Sequence, residues 1–226
     1  MDPILELLNN RATPIFVYRS LEECNRDQRA EATGIAIIYS GTKDHVIEIA
    51  KRQIHHMFPM GISPGILTAV VIRPLEIPFG SLPQYPNQPE DRKNFTGGMA
   101  LLQGNCIIPR NTAMVPEDAL DTTLSATWFP NSSVLTQKLG DVIYYYENPF
   151  NASIIQERFL IRAASNGPFP SNSARIDDHE FFADLTACYF GYFVDHAPMC
   201  DGTNKDWLKT NMPEEFELLQ RIYAGR

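Results

Sequence analysis

The chain has 226 residues, of which 44% are hydrophobic, 11% aromatic and 20% charged, enough for a soluble protein to bury a substantial core, and a single two-lobed domain is expected. Its 19 basic and 27 acidic residues give a net charge of −8, and the basic residues are scattered, which excludes a phosphate-holding field and a nucleic-acid partner. No apolar run nears the roughly 18 to 20 residues of a membrane span, and Met1-Asp2-Pro3 lacks the basic flank and apolar stretch of a secretory signal, so a cytoplasmic protein with no membrane partner is expected.

The first third alternates element types. Pro14-Ile15-Phe16-Val17-Tyr18 and Gly34-Ile35-Ala36-Ile37-Ile38-Tyr39 are short, β-branched and bounded by turn residues, as buried strands are. From Asp44 the apolar residues Val46, Ile49, Ala50, Ile54 and Met57 recur at three- and four-residue steps. This predicts a helix with Asp44 as N-cap and Pro59 just past its end. Ile66 to Ile72 reads as a further strand. The stretch from Pro74 to Lys93, rich in proline, suits an extended surface connection. Gly97 to Ile108 is strand-like again. Val134, Leu135, Leu139, Val142, Ile143 and Tyr146 fall at helical spacing, and helices are also predicted over Asp178 to Phe190 and Pro213 to Tyr223, where Pro213 suits a first turn. The predicted class is α+β, a mixed strand and helix half followed by a mainly helical half.

Cys24, Cys106, Cys188 and Cys200 form no CxxC pair and read as free thiols rather than a zinc site or disulfide framework. Asn94-Phe95-Thr96, Asn131-Ser132-Ser133 and Asn151-Ala152-Ser153 match the glycosylation pattern, which has meaning only in a secreted protein. His55 and His56 are neighbours pointing in different directions near a helix end, a poor metal pair. His45 and His196 have no partner at ligand spacing.

The segment Asp178-His179-Glu180-Phe181-Phe182-Ala183-Asp184, with Tyr189-Phe190-Gly191 after it, resembles the C-terminal part of zinc metallopeptidases similar to the anthrax lethal factor catalytic domain. The tail, Trp207-Leu208 then Phe216 to Tyr223, is similar to theirs too. Upstream, Val134-Leu135-Thr136-Gln137-Lys138-Leu139-Gly140-Asp141-Val142-Ile143 resembles the family segment Val-Leu-x-His-Glu-Leu-Gly-His-Val-Ile. The resemblance covers roughly residues 97 to 226. It implies a zincin-like single domain, with an α/β lobe over 1–133 carrying an edge strand near 97–108, and a helical lobe over 134–226.

In that family two His one helical turn apart and a downstream Glu hold zinc, while the Glu between the His activates water. The resemblance places Glu180 at the third ligand, Gln137 and Asp141 at the two His, and Lys138 at the catalytic Glu. Gln137 is a weak neutral ligand and Lys138 puts an ammonium where a base is needed, so no metal and no other cofactor is expected and zinc proteolysis is excluded. Asp141 and Glu180 could still offer two oxygens to a hard cation.

Each residue also has a plainer reading. Glu180 suits a first-turn carboxylate, with Asp184 one turn on and Phe181, Phe182 and Leu185 in the core. Lys138, if buried, must pair with Asp141 or Glu180. His179 can decorate the helix start, and Tyr144, Tyr145 and Tyr146 can be wall and core. The functional expectation is a metal-independent catalyst, a cyclase or isomerase of fungal-type specialised metabolism. Gln137, Lys138, Asp141 and Glu180 would be its catalytic groups, and Tyr144, Tyr145, His179 and Asp184 would bind a small apolar molecule. The alternative is a non-catalytic pseudo-metalloprotease that binds a peptide or protein partner, pairing with the strand around Met99 to Ile107.

Overall fold

The protein is described here from a computed structural model that covers residues 14–27, 34–39, 41–59, 68–74, 98–101, 111–121, 123–124, 133–145, 149–192 and 205–223. Strands β1 (Ile15–Tyr18), β2 (Ile35–Tyr39), β3 (Thr68–Arg73), β4 (Met99–Leu101) and β5 (Asn111–Pro116) form one sheet in the order β1-β2-β3-β5-β4. The first four neighbours in that order are parallel. β4 runs antiparallel to β5, with Met99 opposite Met114. Parallel strands covered on both faces need apolar residues at consecutive positions, which explains the runs IAIIY and TAVVIR.

Alternate residues serve two cores. Ile35, Ile37, Val70, Ile72, Ala113 and Val115 join the larger cluster, which continues into the helices. Ala36, Ile38, Ala69, Val71 and Met114 meet Tyr18 and Cys24 on the opposite face. Each fully buried isoleucine or valine contributes about 1.5–3 kcal/mol to folding. The second core is closed by α1 (Leu21–Arg26), whose N-cap Ser20 accepts from the Glu23 amide. Cys24 and Cys188 are both buried, on opposite cores; Cys106 and Cys200 lie outside the described residues.

α2 (Asp44–Met57) buries Val46, Ile47, Ala50, Ile54 and Met57 on the larger core. Its cap corrects the sequence reading: Lys43 is the N-cap, without a side-chain bond, and Asp44 is the first helical residue, where its charge still favours the dipole. The expected 66–72 strand is observed as Thr68–Arg73. Of the expected edge strand near 97–108, Met99–Leu101 is seen, and 102–110 lie outside the described residues, as does the proline-rich stretch from 75 on. β5 and the one-turn α3 (Glu117–Leu120) that follows it were not anticipated.

From residue 133 onward the regular elements among the described residues are all helical: α4 (Val134–Tyr144), α5 (Pro149–Ser165), α6 (Asp178–Tyr189), α7 (Lys205–Asn211) and α8 (Pro213–Tyr223), plus a 3₁₀ turn at Ser173–Arg175. The architecture is thus α+β with a five-stranded mixed sheet. α6 is the central helix, buried from Phe181 to Cys188. It ends at Gly191, whose φ of 85° is the left-handed turn that glycine adopts without strain. α5 ends on Asn166 at φ 53° and is tied to α8 by Arg162, whose Nε and Nη2 each donate at 2.6 Å to the Glu215 carboxylate.

Candidate functional site

Two helix starts aim the polar residues of α4 and α6 at one another. Ser133 caps α4 by accepting from the Thr136 amide at 3.0 Å and donates to Gln53 of α2 at 2.8 Å, fixing where α4 begins. Asp177 caps α6 by accepting from the Glu180 amide at 2.8 Å. Gly140 then permits a close crossing. A Cβ there would lie 2.9 Å from Cβ of Thr186 and 3.2 Å from Cα of Ala183, so any side chain would push the helices apart. The chain entering β4 is equally close: a Cβ on Gly98 would overlap Val134 and lie 3.3 Å from Cγ of Lys138.

The crossing brings together Gln137, Lys138, Asp141, Glu180 and Asp184. Lys138 Nζ donates to Asp141 Oδ2 at 2.7 Å and pairs with Glu180 Oε1 at 3.5 Å. Lys138 and Asp141 are buried, at 8% and 6% exposure, while the Glu180 side chain is 31% exposed. Gln137 Nε2 donates to Asp184 Oδ1 at 2.5 Å. The other oxygen of Asp184 accepts from Ser171 and, at 3.0 Å, from Ser173. Neither serine was picked out from the sequence. A Ser-x-Ser spacing upstream of a helix is a common capping pattern and points to no particular carboxylate.

One ammonium among three carboxyls governs the electrostatics. Burial pulls Lys138 down, yet Asp141, Glu180 and Asp184 together outweigh it and hold the ammonium above its ordinary value. Burial pushes Asp141 up to about 6 against the pull of Lys138, with Glu180 adding repulsion. Asp184 is pushed up to about 6 by burial, opposed by the hydrogen bonds from Ser171, Gln137 and Ser173. One cation cannot neutralise all of its neighbours, so protons bind the buried carboxyls more readily than they would in water.

A ring cluster flanks this centre. His179 packs against Tyr144 and Tyr145 with centroids 4.3 and 4.6 Å apart, and Tyr144 also meets Phe182 at 5.8 Å. Tyr144 donates its hydroxyl to Asp178, and burial followed by that bond raises its pKa. Tyr145, the residue that ends α4, is 46% exposed. All the candidate residues therefore stand on one seam. Its inner part (Lys138, Asp141, Asp184) is buried and hydrogen-bonded, Gln137 is half-buried and tied to Asp184, and its outer part (Glu180, His179, Tyr145) is partly open.

The histidines set aside earlier lie elsewhere: His45 pairs with Asp121 at 2.7 Å and His56 packs on Phe190 at 5.4 Å. His196 lies outside the described residues. The seam does not fit a zinc ion, because Lys138 Nζ stands between the two carboxylates that would have to bind it. Among the described residues no cluster of three or more His, Cys, Asp or Glu is arranged to hold a metal, and no helix is long and apolar enough to cross a membrane. No family model, no curated protein and no solved structure matches the chain.

Proposed function

We propose that the chain is a degenerate, zincin-like metallopeptidase, two-lobed and non-proteolytic, in which an internal ammonium has taken the place of the metal. Its seam serves as a metal-independent catalyst of cyclase or isomerase type for a small apolar molecule. The observation that carries this reading is the position of Lys138 Nζ, 2.7 Å from Asp141 and 3.5 Å from Glu180, the residues that stand at two metal-ligand positions in the resemblance. Glu180 is the carboxylate of the seam that solvent and a ligand can reach, so it is the acid/base group, and Tyr145 and His179 supply an aromatic wall. Lys138, Asp141, Gln137 and Asp184 act as positioning residues that fix Glu180 and set its charge environment.

The test is native mass spectrometry on protein purified without chelator, followed by organic extraction and screening of small lipophilic compounds. A small molecule bound one to one, and weakened by Glu180→Gln in a variant that melts like the parent, is the expected result. Stoichiometric recovery of a protein partner with no small molecule would move the assignment to the second reading. That reading, a peptide-binding pseudoenzyme, is favoured by one observation: among the described residues β4 pairs only with β5 and leaves a backbone edge beside α4.

A further inference from the structure

The outer part of the seam combines two features that select for charge. The first is a carboxylate with open acceptor positions. Among the described residues, the Glu180 carboxylate has no charged or hydrogen-bonding partner nearer than Lys138 Nζ at 3.5 Å, and that ammonium is spent on Asp141 at 2.7 Å. The second is an aromatic surface. Tyr145 is 46% exposed, its ring stands at 84° to that of Tyr144, and His179 fills the corner between them.

Around this surface the field is negative. Asp141, Asp177, Asp178 and Glu180 all act on the Tyr145 hydroxyl, which burial already disfavours ionising. Asp177 and Asp178 are committed, the one to the Glu180 amide and the other to the Tyr144 hydroxyl, and they offset the positive end of α6. The cation next in sequence, Arg175, is turned onto the Phe169 ring at 4.6 Å. A neutral ligand would leave Glu180 with only its 3.5 Å contact to Lys138, and an anion would be repelled.

We infer that the ligand of this face is an organic cation, an apolar body carrying a basic nitrogen, whose ammonium pairs with Glu180 while its body lies on Tyr145. The inference rests on the proposed small-molecule reading and narrows it. A face of tyrosine beside a carboxylate binds an ammonium through the ring quadrupole and the ion pair together.

The experiment is titration of the full chain with benzylamine, benzyl alcohol and benzoate at pH 7, followed by tyrosine fluorescence and by ¹H–¹⁵N shifts of the α6 amides. Benzylamine is expected to bind at least about tenfold more tightly than benzyl alcohol, to weaken with salt, and to outcompete benzoate. Glu180→Gln should bring amine and alcohol together, while Tyr145→Ala should weaken both, each in a variant whose far-ultraviolet spectrum and melt match the parent. Equal binding of amine and alcohol, both sensitive to Tyr145→Ala, would overturn the cation inference and leave the small-molecule reading standing. No binding by any of the three probes would overturn both.

Discussion

Replacing Lys138 with methionine keeps most of the unbranched side chain and removes its charge. The parent residue is 8% exposed and holds Asp141, itself 6% exposed, at 2.7 Å, with Glu180 at 3.5 Å. Breaking a buried ion pair from one side costs about 3–5 kcal/mol, because the partner is left charged in a poor solvent. The loss should depend on pH, with a sign that follows from the carboxyls. Asp141 is raised from 3.8 to about 6 in the folded protein, so its contribution to stability is full below 3.8 and fades as pH rises through 6, amounting to about 3 kcal/mol. Lys138 is also raised, so its stabilising effect holds throughout neutral pH and fades only above its ordinary value of 10.5. Without the ammonium, Asp141 rises further, and the variant should lose stability more steeply than the parent between pH 5 and 8. Urea unfolding of both proteins at those two pH values measures this directly. The double variant Lys138→Met/Asp141→Leu should recover more than half of the loss at pH 8. A single-variant loss under about 1 kcal/mol at pH 8, or one equal at both pH values, would refute the claim that the pair is buried and coupled.

Gly140→Ala should destabilise by about 1–2 kcal/mol in thermal melts, because overpacking against Thr186 and Ala183 at 2.9 and 3.2 Å exceeds the gain in helix propensity. A stabilised variant would mean that α4 and α6 are free to slide apart. Arg162→Ala strands Glu215, which is 2% exposed, and should cost about 3–5 kcal/mol by denaturant unfolding. The loss should be largely restored in Arg162→Ala/Glu215→Leu, and failure of that rescue would show that Arg162 acts through packing instead.

Much of the fold was legible where pattern and capping agree. β1 and β2 announce themselves as short β-branched runs bounded by turn residues, α2 and α4 through apolar periodicity and α8 through Pro213 at its start, and the true caps Ser133 and Asp177 lie just ahead of the segments that predict α4 and α6. β5 was missed because Asn111 and Thr112 open it with polar residues. Its burial comes from β3 on one side and β4 on the other, a tertiary fact. α5 hides its face because Leu160 and Ile161 are exposed beside the buried Ile155, so its apolar residues do not trace one stripe. α7 buries Leu208 alone among its seven residues and leaves no period to read. Within the site, the pairing of Lys138 with Asp141 follows from three-residue spacing, and the approach of Glu180 followed from the resemblance. The bonds from Gln137, Ser171 and Ser173 to Asp184 join residues up to 47 positions apart and could be seen only once the helices crossed.

The central claim is that α4 and α6 keep the frame of a zinc site whose ion has been replaced by Lys138. It is tested most directly by introducing the ligand set of the resembled family in one variant, Gln137→His/Lys138→Glu/Asp141→His, and measuring its thermal melt with zinc and with chelator beside the parent. The account predicts one zinc bound per chain and a higher melting temperature in the variant, with the parent indifferent to both additions. A folded variant that ignores zinc, or a parent that binds it stoichiometrically, would contradict the account.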